Sequence, residues 1–140
     1  MNKFDIKREG RGIWYVIHTL ALYATTDYLK ENFIVTIQIL TDHFSCDTCK
    51  VHMVDFLRTN PLKNYWHIKS PKTKEDIGFF KWSWELHNLI NSKLNKPILT
   101  LDETLSTFKN YVCKNCDKIK PNPILIPIED EEEVFTIVSR

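Results

Sequence analysis

Apolar side chains recur along this chain at intervals of three and four, and turn signals separate the blocks. Residues 12–26 place Trp14, Ile17, His18, Ala21 and Leu22 on one stripe, the spacing of a helix with one buried face. Residues 28–43 carry Leu29, Phe33, Val35, Ile37, Ile39 and Leu40, and the β-branched run from Ile34 to Ile39 also suits a strand. Its length without a turn signal, leading directly into the next block, favours a helix. From Cys46 to Arg58 one side holds Cys49, Met53, Phe56 and Leu57, with Ser45 placed to cap the first turn and Asn60-Pro61 to end the last. Residues 61–75 are polar, contain Pro61 and Pro71, and read as a loop. Asp76 is placed to cap a helix that runs to about Leu94, with Phe79, Phe80, Trp82, Leu86, Ile90 and Leu94 as its core face. Asn95-Lys96-Pro97 breaks it. Thr100-Leu101-Asp102-Glu103 spells a capping box, so a short helix follows to about Tyr111. The pattern predicts an all-α domain of four long helices and a short fifth.

The chain changes character at Lys118. Pro121, Pro123 and Pro127 alternate with Ile124, Leu125 and Ile126, and an acidic run from Glu129 to Glu133 follows. Repeated prolines forbid a helix and adjacent carboxylates repel one another. Val134 to Val138 leaves room for one added strand, but the expectation is an extended or mobile arm. Residues 1–116 are thus expected to form the domain and 117–140 a Pro-rich and acidic tail.

Composition narrows the classes. With 140 residues and a 43% hydrophobic share, the chain has the material for one globular core. A formal net charge of +1 gives no reason to expect nucleic acid or an anionic membrane as partner. No apolar run approaches the roughly 20 residues of a membrane span. The start lacks the apolar segment of a secretory signal, so the expectation is a soluble, cytoplasmic chain.

In such a compartment the four cysteines, paired as Cys46/Cys49 and Cys113/Cys116, are more readily reactive groups or metal ligands than static staples. Both pairs are CxxC. The first sits where a helix begins, with His52 one turn beyond Cys49, and both features favour thiolate over thiol. The second begins 64 positions after Cys49, far beyond the roughly 15–20 residues between pairs in a four-cysteine zinc motif. Spacing alone leaves redox chemistry, a zinc site on both pairs, and structural disulfides open.

Three motifs change that balance. Arg8 to Tyr23 contains Gly10-Arg11, Trp14, His18, Ala21 and Tyr23, which resembles the GRxxWxxxHxxAxxY opening helix of the Erv/ALR sulfhydryl oxidases, with Tyr23 one position ahead of the closing tyrosine. Cys46–Cys49 follows after one intervening helix, as in that family. The stretch Trp82 to Pro97, with His87, Asn88, Asn91, Leu94, Lys96 and Pro97, looks like the family's WxxxxHNxVNxxLxKP segment. The likeness spans about residues 8–111. It implies a four-helix bundle with a short fifth helix, FAD held non-covalently between helices, and electron transfer from thiols to dioxygen with release of hydrogen peroxide.

The residues suit that role. No glycine-rich dinucleotide loop is present, so a flavin would be held by helix side chains. Trp14 and His18 share one face, and Trp84, His87, Asn88 and Asn91 share another. Arg11, Lys93 and Lys96 offer charge for phosphates. On their own, Trp14 is as readily core and each histidine a hydrogen-bonded interior group. The resemblance turns Trp14, His18, His87, Asn88 and Asn91 into cofactor contacts and adds Tyr23, His52 and Lys93 as candidates. His43 and His67 lack such support and read as solvated.

The resemblance further implies that a protein thiol or shuttle attacks Cys46, the more exposed sulfur, while Cys49 faces the flavin. Cys113 and Cys116 correspond to a shuttle pair that relays electrons from substrate. Many cellular members fasten the fourth helix to the fifth with a CX16C disulfide. Here Trp84 and Leu101 stand at those positions, which leaves Trp84 to press on the adenine. A homodimer through the first two helices is expected, and the short, Lys-, Asn- and Ile-rich chain is like the minimal versions of large DNA viruses, which act in host cytoplasm or virion.

Overall fold

The computed structural model describes residues 6–111, with the backbone alone at 6–9, Arg11 and Tyr111. The second CxxC pair, Cys113 and Cys116, and the tail predicted from residue 117 lie outside the described residues. The domain is all-α: α1 (Ile6–Tyr23), α2 (Asp27–Asp42), α3 (Asp47–Thr59), α4 (Gly78–Lys93) and α5 (Leu101–Tyr111), with a 3-10 turn at Leu62–Tyr65 between α3 and α4. α1 packs on α4 and α2, and α2 on α3.

Each helix buries the stripe that its period presents. Ile17 and Ala21 of α1 meet Phe33 and Ile37 of α2, Met53 and Phe56 of α3, and Phe79, Trp82 and Leu86 of α4. Trp82 sits at the centre. Phe33 and Phe56 approach it edge-on at 6.0 and 5.5 Å between ring centroids, and its Nε1 donates to the Asn60 carbonyl at 2.9 Å. That bond ties the end of α3 to α4. The β-branched run from Ile34 to Ile39 is helical, because Phe33, Ile37 and Thr41 are needed on one face.

Four expectations need correction at element ends. α1 starts six residues before the predicted block and stops at Tyr23, because Thr26 caps the next helix, its side chain accepting from the Leu29 N–H. α3 is capped by Cys46 rather than Ser45: its Sγ accepts from the Cys49 N–H at 3.2 Å. α4 begins at Gly78 with Ile77 as its cap residue, while Asp76 Oδ1 accepts the Gly78 N–H at 3.2 Å from just outside. Residues 61–75 are not a bare loop. The 3-10 turn buries Leu62 and Tyr65, and a bridge pairs Lys69 with Asp76.

Candidate functional site

α1 and α4 cross so that three of the predicted residues meet. Trp14 lies flat on the His87 ring, with centroids 4.0 Å apart and planes 6° from parallel. His18, one turn beyond Trp14, is fully buried; its Nε2 is 2.8 Å from His87 Nδ1 and its Nδ1 is 2.8 Å from Ser83 Oγ. Phe80 of α4 and Phe108 of α5 close the pocket around it at 5.6 and 4.7 Å. Burial, reinforced by the neighbouring His87, pushes the His18 pKa down to about 3. Burial, helped by the Lys96 charge, lowers that of His87 to about 4. Both imidazoles are neutral near pH 7, and Lys96 is close enough to act on one of them.

The other candidates are distributed more widely. Asn91 is buried on α4, and its carbonyl accepts the Lys96 N–H at 2.8 Å, which folds the connector back onto the helix end. Trp84 does not present its indole N–H to a ligand, because Nε1 donates to the Leu99 carbonyl at 2.8 Å. Asn88 brackets the same residue: its Nδ2 donates to Leu99 O at 2.8 Å and its Oδ1 accepts the Leu99 N–H at 3.2 Å. Trp84 and Asn88 thus clasp the α4–α5 connector, at the place where a disulfide staple was expected to be missing. Tyr23 is half exposed at the end of α1. The Arg11 side chain lies outside the described residues. His43 and His67 are exposed, as the sequence suggests.

His52 and Lys93 share a different surface. With Asp55, Phe56, Glu85 and Leu89 they line an open cleft of about 560 Å³ between α3 and α4. Glu85, Leu89 and Lys93 recur every four residues, on the opposite face of α4 from His87 and Asn91. Beneath the cleft, Tyr65 donates to Glu85, and burial together with that carboxylate raises the phenol pKa well above its ordinary value.

Cys46 and Cys49 are joined in a disulfide across the first turn of α3, with Cα atoms 5.2 Å apart. A bonded pair has no thiolates to give a metal, so the geometry favours redox chemistry over zinc. Both cysteines are partly buried, so exposure does not rank them as expected. What distinguishes Cys46 is its cap position: the Cys49 N–H aimed at its sulfur stabilises negative charge there once the bond is reduced.

A family model described as Erv1 / Alr family matches residues 11–112. This chain belongs to the Erv1/Alr family. Its relatives include the "FAD-linked sulfhydryl oxidase ERV1" of Oryza sativa subsp. japonica, 23% identical over 83% of this chain and 58% of that protein. The "Mitochondrial FAD-linked sulfhydryl oxidase ERV1" of Saccharomyces cerevisiae is 26% identical over 66% of this chain and 46% of its own length. An "FAD-linked sulfhydryl oxidase" of African swine fever virus is 24% identical over 77% of this chain and 86% of that protein. The chain therefore spans only about half the length of these two cellular relatives and most of the viral one. The fold matches the crystal structure of the yeast Erv1 core with a TM-score of 0.62, at 22% identity over 79% of this chain and 88% of that one.

Ser83 and Phe108 are the site residues that motif reading missed. Ser83 was within reach, since it stands four residues before His87 on the same helix face. Phe108 comes from a different helix, and no local pattern links it to His18.

Proposed function

We propose that this chain is an FAD-dependent sulfhydryl oxidase that forms disulfides in protein substrates and passes the electrons to dioxygen, giving hydrogen peroxide. The carrying observation is the Cys46–Cys49 disulfide at the start of α3 in a helical domain of this family. The names of the rice, yeast and viral relatives support the same reading. A substrate thiolate attacks Cys46 Sγ, the bond to Cys49 breaks, and Cys49 leaves as a thiolate. The second substrate thiol then displaces Cys46, so the substrate gains a disulfide and the pair becomes a dithiol. Bound FAD supplies the two-electron acceptor between that dithiol and dioxygen.

The side chains fit such a cofactor. Trp14 and the neutral His87 imidazole offer aromatic and uncharged polar surface, Asn91 an amide, and Lys96 a cation beside them. These four would hold it, with Arg11 of α1 as a further contact and His18 behind them bonded to His87; Tyr23, and His52 and Lys93 in the cleft, face other surfaces. An absorbance spectrum of purified protein tests the reading. A flavin spectrum retained through gel filtration is expected; a colourless protein that unfolds on chelation would instead establish the zinc module.

The partner surface also follows. Val16, Leu20 and Tyr23 of α1, and Tyr28, Val35 and Ile39 of α2, form exposed apolar rows at helical spacing. A homodimer that covers them is the proposed assembly. Sedimentation should show a dimer in the wild type and a monomer in Val35→Glu/Ile39→Glu; a wild-type monomer at high concentration would refute it. No helix among the described residues is long and apolar enough to cross a membrane.

A further inference from the structure

The proton arrangement of the buried imidazoles can be worked out from one hydroxyl. Ser83 Oγ lies 2.7 Å from the Phe80 carbonyl oxygen, an acceptor without a proton of its own. Only the Ser83 hydroxyl proton can fill that contact, so Ser83 donates there. Reversing the hydroxyl would leave oxygen lone pairs facing each other at 2.7 Å in a buried site. Oγ then has only lone pairs to offer His18 Nδ1 at 2.8 Å, and Nδ1 must carry the N–H. In neutral His18 this leaves Nε2 as an acceptor, and the group 2.8 Å away, His87 Nδ1, must donate to it. In neutral His87 the remaining nitrogen, Nε2, then has a lone pair and no proton. Among the described residues His87 Nε2 has no hydrogen-bond partner, while the Trp14 ring covers one face of the imidazole.

We propose that Ser83 is a positioning residue which, through His18, fixes the tautomer of His87, so that His87 offers Nε2 to the bound cofactor as a hydrogen-bond acceptor. The group received there is an amine, imide or hydroxyl donor. A phosphate oxygen or a ring carbonyl would need a donor and is excluded from this position; Lys96 is the cation near it that suits phosphate. The tautomer stands on these contacts between two buried, neutral rings, whereas the identity of the ligand rests on the FAD reading above.

Long-range proton–nitrogen correlation on protein carrying isotope-labelled histidine, as purified and after saturation with FAD, reads which ring nitrogen of each histidine is protonated. Near pH 7, His18 and His87 are expected as Nδ1–H tautomers. His87 Nε2 should stay unprotonated when flavin is bound and shift as an acceptor does. In Ser83→Ala the restraint is gone, and both rings should move toward the Nε2–H form that free imidazole prefers, with Ser83→Thr restoring the wild-type pattern. An Nε2–H on either wild-type histidine, or a proton on His87 Nε2 in the flavin-bound protein, would overturn the proposal. So would a folded Ser83→Ala protein with unchanged tautomers. If the protein bound no flavin yet showed both Nδ1–H forms, the cofactor reading would fail and the relay would stand.

Discussion

Lys30 carries an ammonium into the core on a helix that otherwise buries Phe33, Ile37 and Thr41. Its Nζ pairs with Asp76, donates to the Trp66 carbonyl at 2.5 Å, and lies 5.4 and 5.8 Å from the Trp66 and Phe79 rings. Removing either partner of such a pair strands the other charge, whereas neutralising both together does not. Asp76→Ala should therefore cost about 3 kcal/mol and the double change Lys30→Met/Asp76→Asn about 1 kcal/mol or less. Urea midpoints for the two variants check the order, and equal losses would contradict it. A lysine on an apolar stripe reads as one that snorkels to solvent, so its sequence gave no warning of this pair. Trp14, His18 and His87 were legible, because helical spacing and a recognisable motif both pointed to them. Trp84 and Asn88 were legible as important positions but not in their role, since a backbone partner eleven or more residues away leaves no local trace.

The start of α4 is the element whose placement tolerates least. A Cβ at Gly78 would lie 1.8 Å from the Tyr65 carbonyl oxygen, a backbone atom in the 3-10 turn that cannot rotate away. Gly78→Ala must separate the two elements, and with them the Phe79, Phe80 and Trp82 packing. A loss of about 2–3 kcal/mol is expected, the upper range for overpacking. Thermal unfolding reads it directly, and an unchanged midpoint would show that the approach is not obligatory. The five helices were readable because each buries one face and so repeats at a helical period. Their ends were not. Cap identity depends on which side chain reaches a free N–H, and Cys46 in place of Ser45 is a difference of one residue that periodicity does not resolve. The 3-10 turn was hidden because Leu62, Tyr65 and Ser70 are buried without a repeat among charged neighbours.

For the whole molecule, the two imidazoles couple folding to pH. Unfolded histidine titrates near 6.5, while in the folded domain His18 falls to about 3 and His87 to about 4. Between those values the unfolded chain binds more protons than the native one, so stability rises with pH. The contribution is complete above about pH 6.5 and is lost as pH falls toward 4 and then 3. For buried His18 each unit of depression is worth about 1.4 kcal/mol, and for the partly exposed His87 less because solvent screens it, against a total of about 5–15 kcal/mol for a domain. The melting temperature should drop steadily from pH 7 to pH 4, and the drop should be smaller in His87→Gln; a flat profile in the wild type would contradict the neutral, buried pair. The same packing that keeps these rings neutral also builds the proposed cofactor surface, and the proposed oxidase activity would depend on the Cys46–Cys49 pair. Oxygen consumption with a dithiol substrate is therefore the most direct measurement. Wild-type protein should take up dioxygen and release hydrogen peroxide, and Cys49→Ser should keep its flavin absorbance while losing thiol-dependent uptake. Retained uptake in a folded, flavin-bearing Cys49→Ser protein would contradict the account.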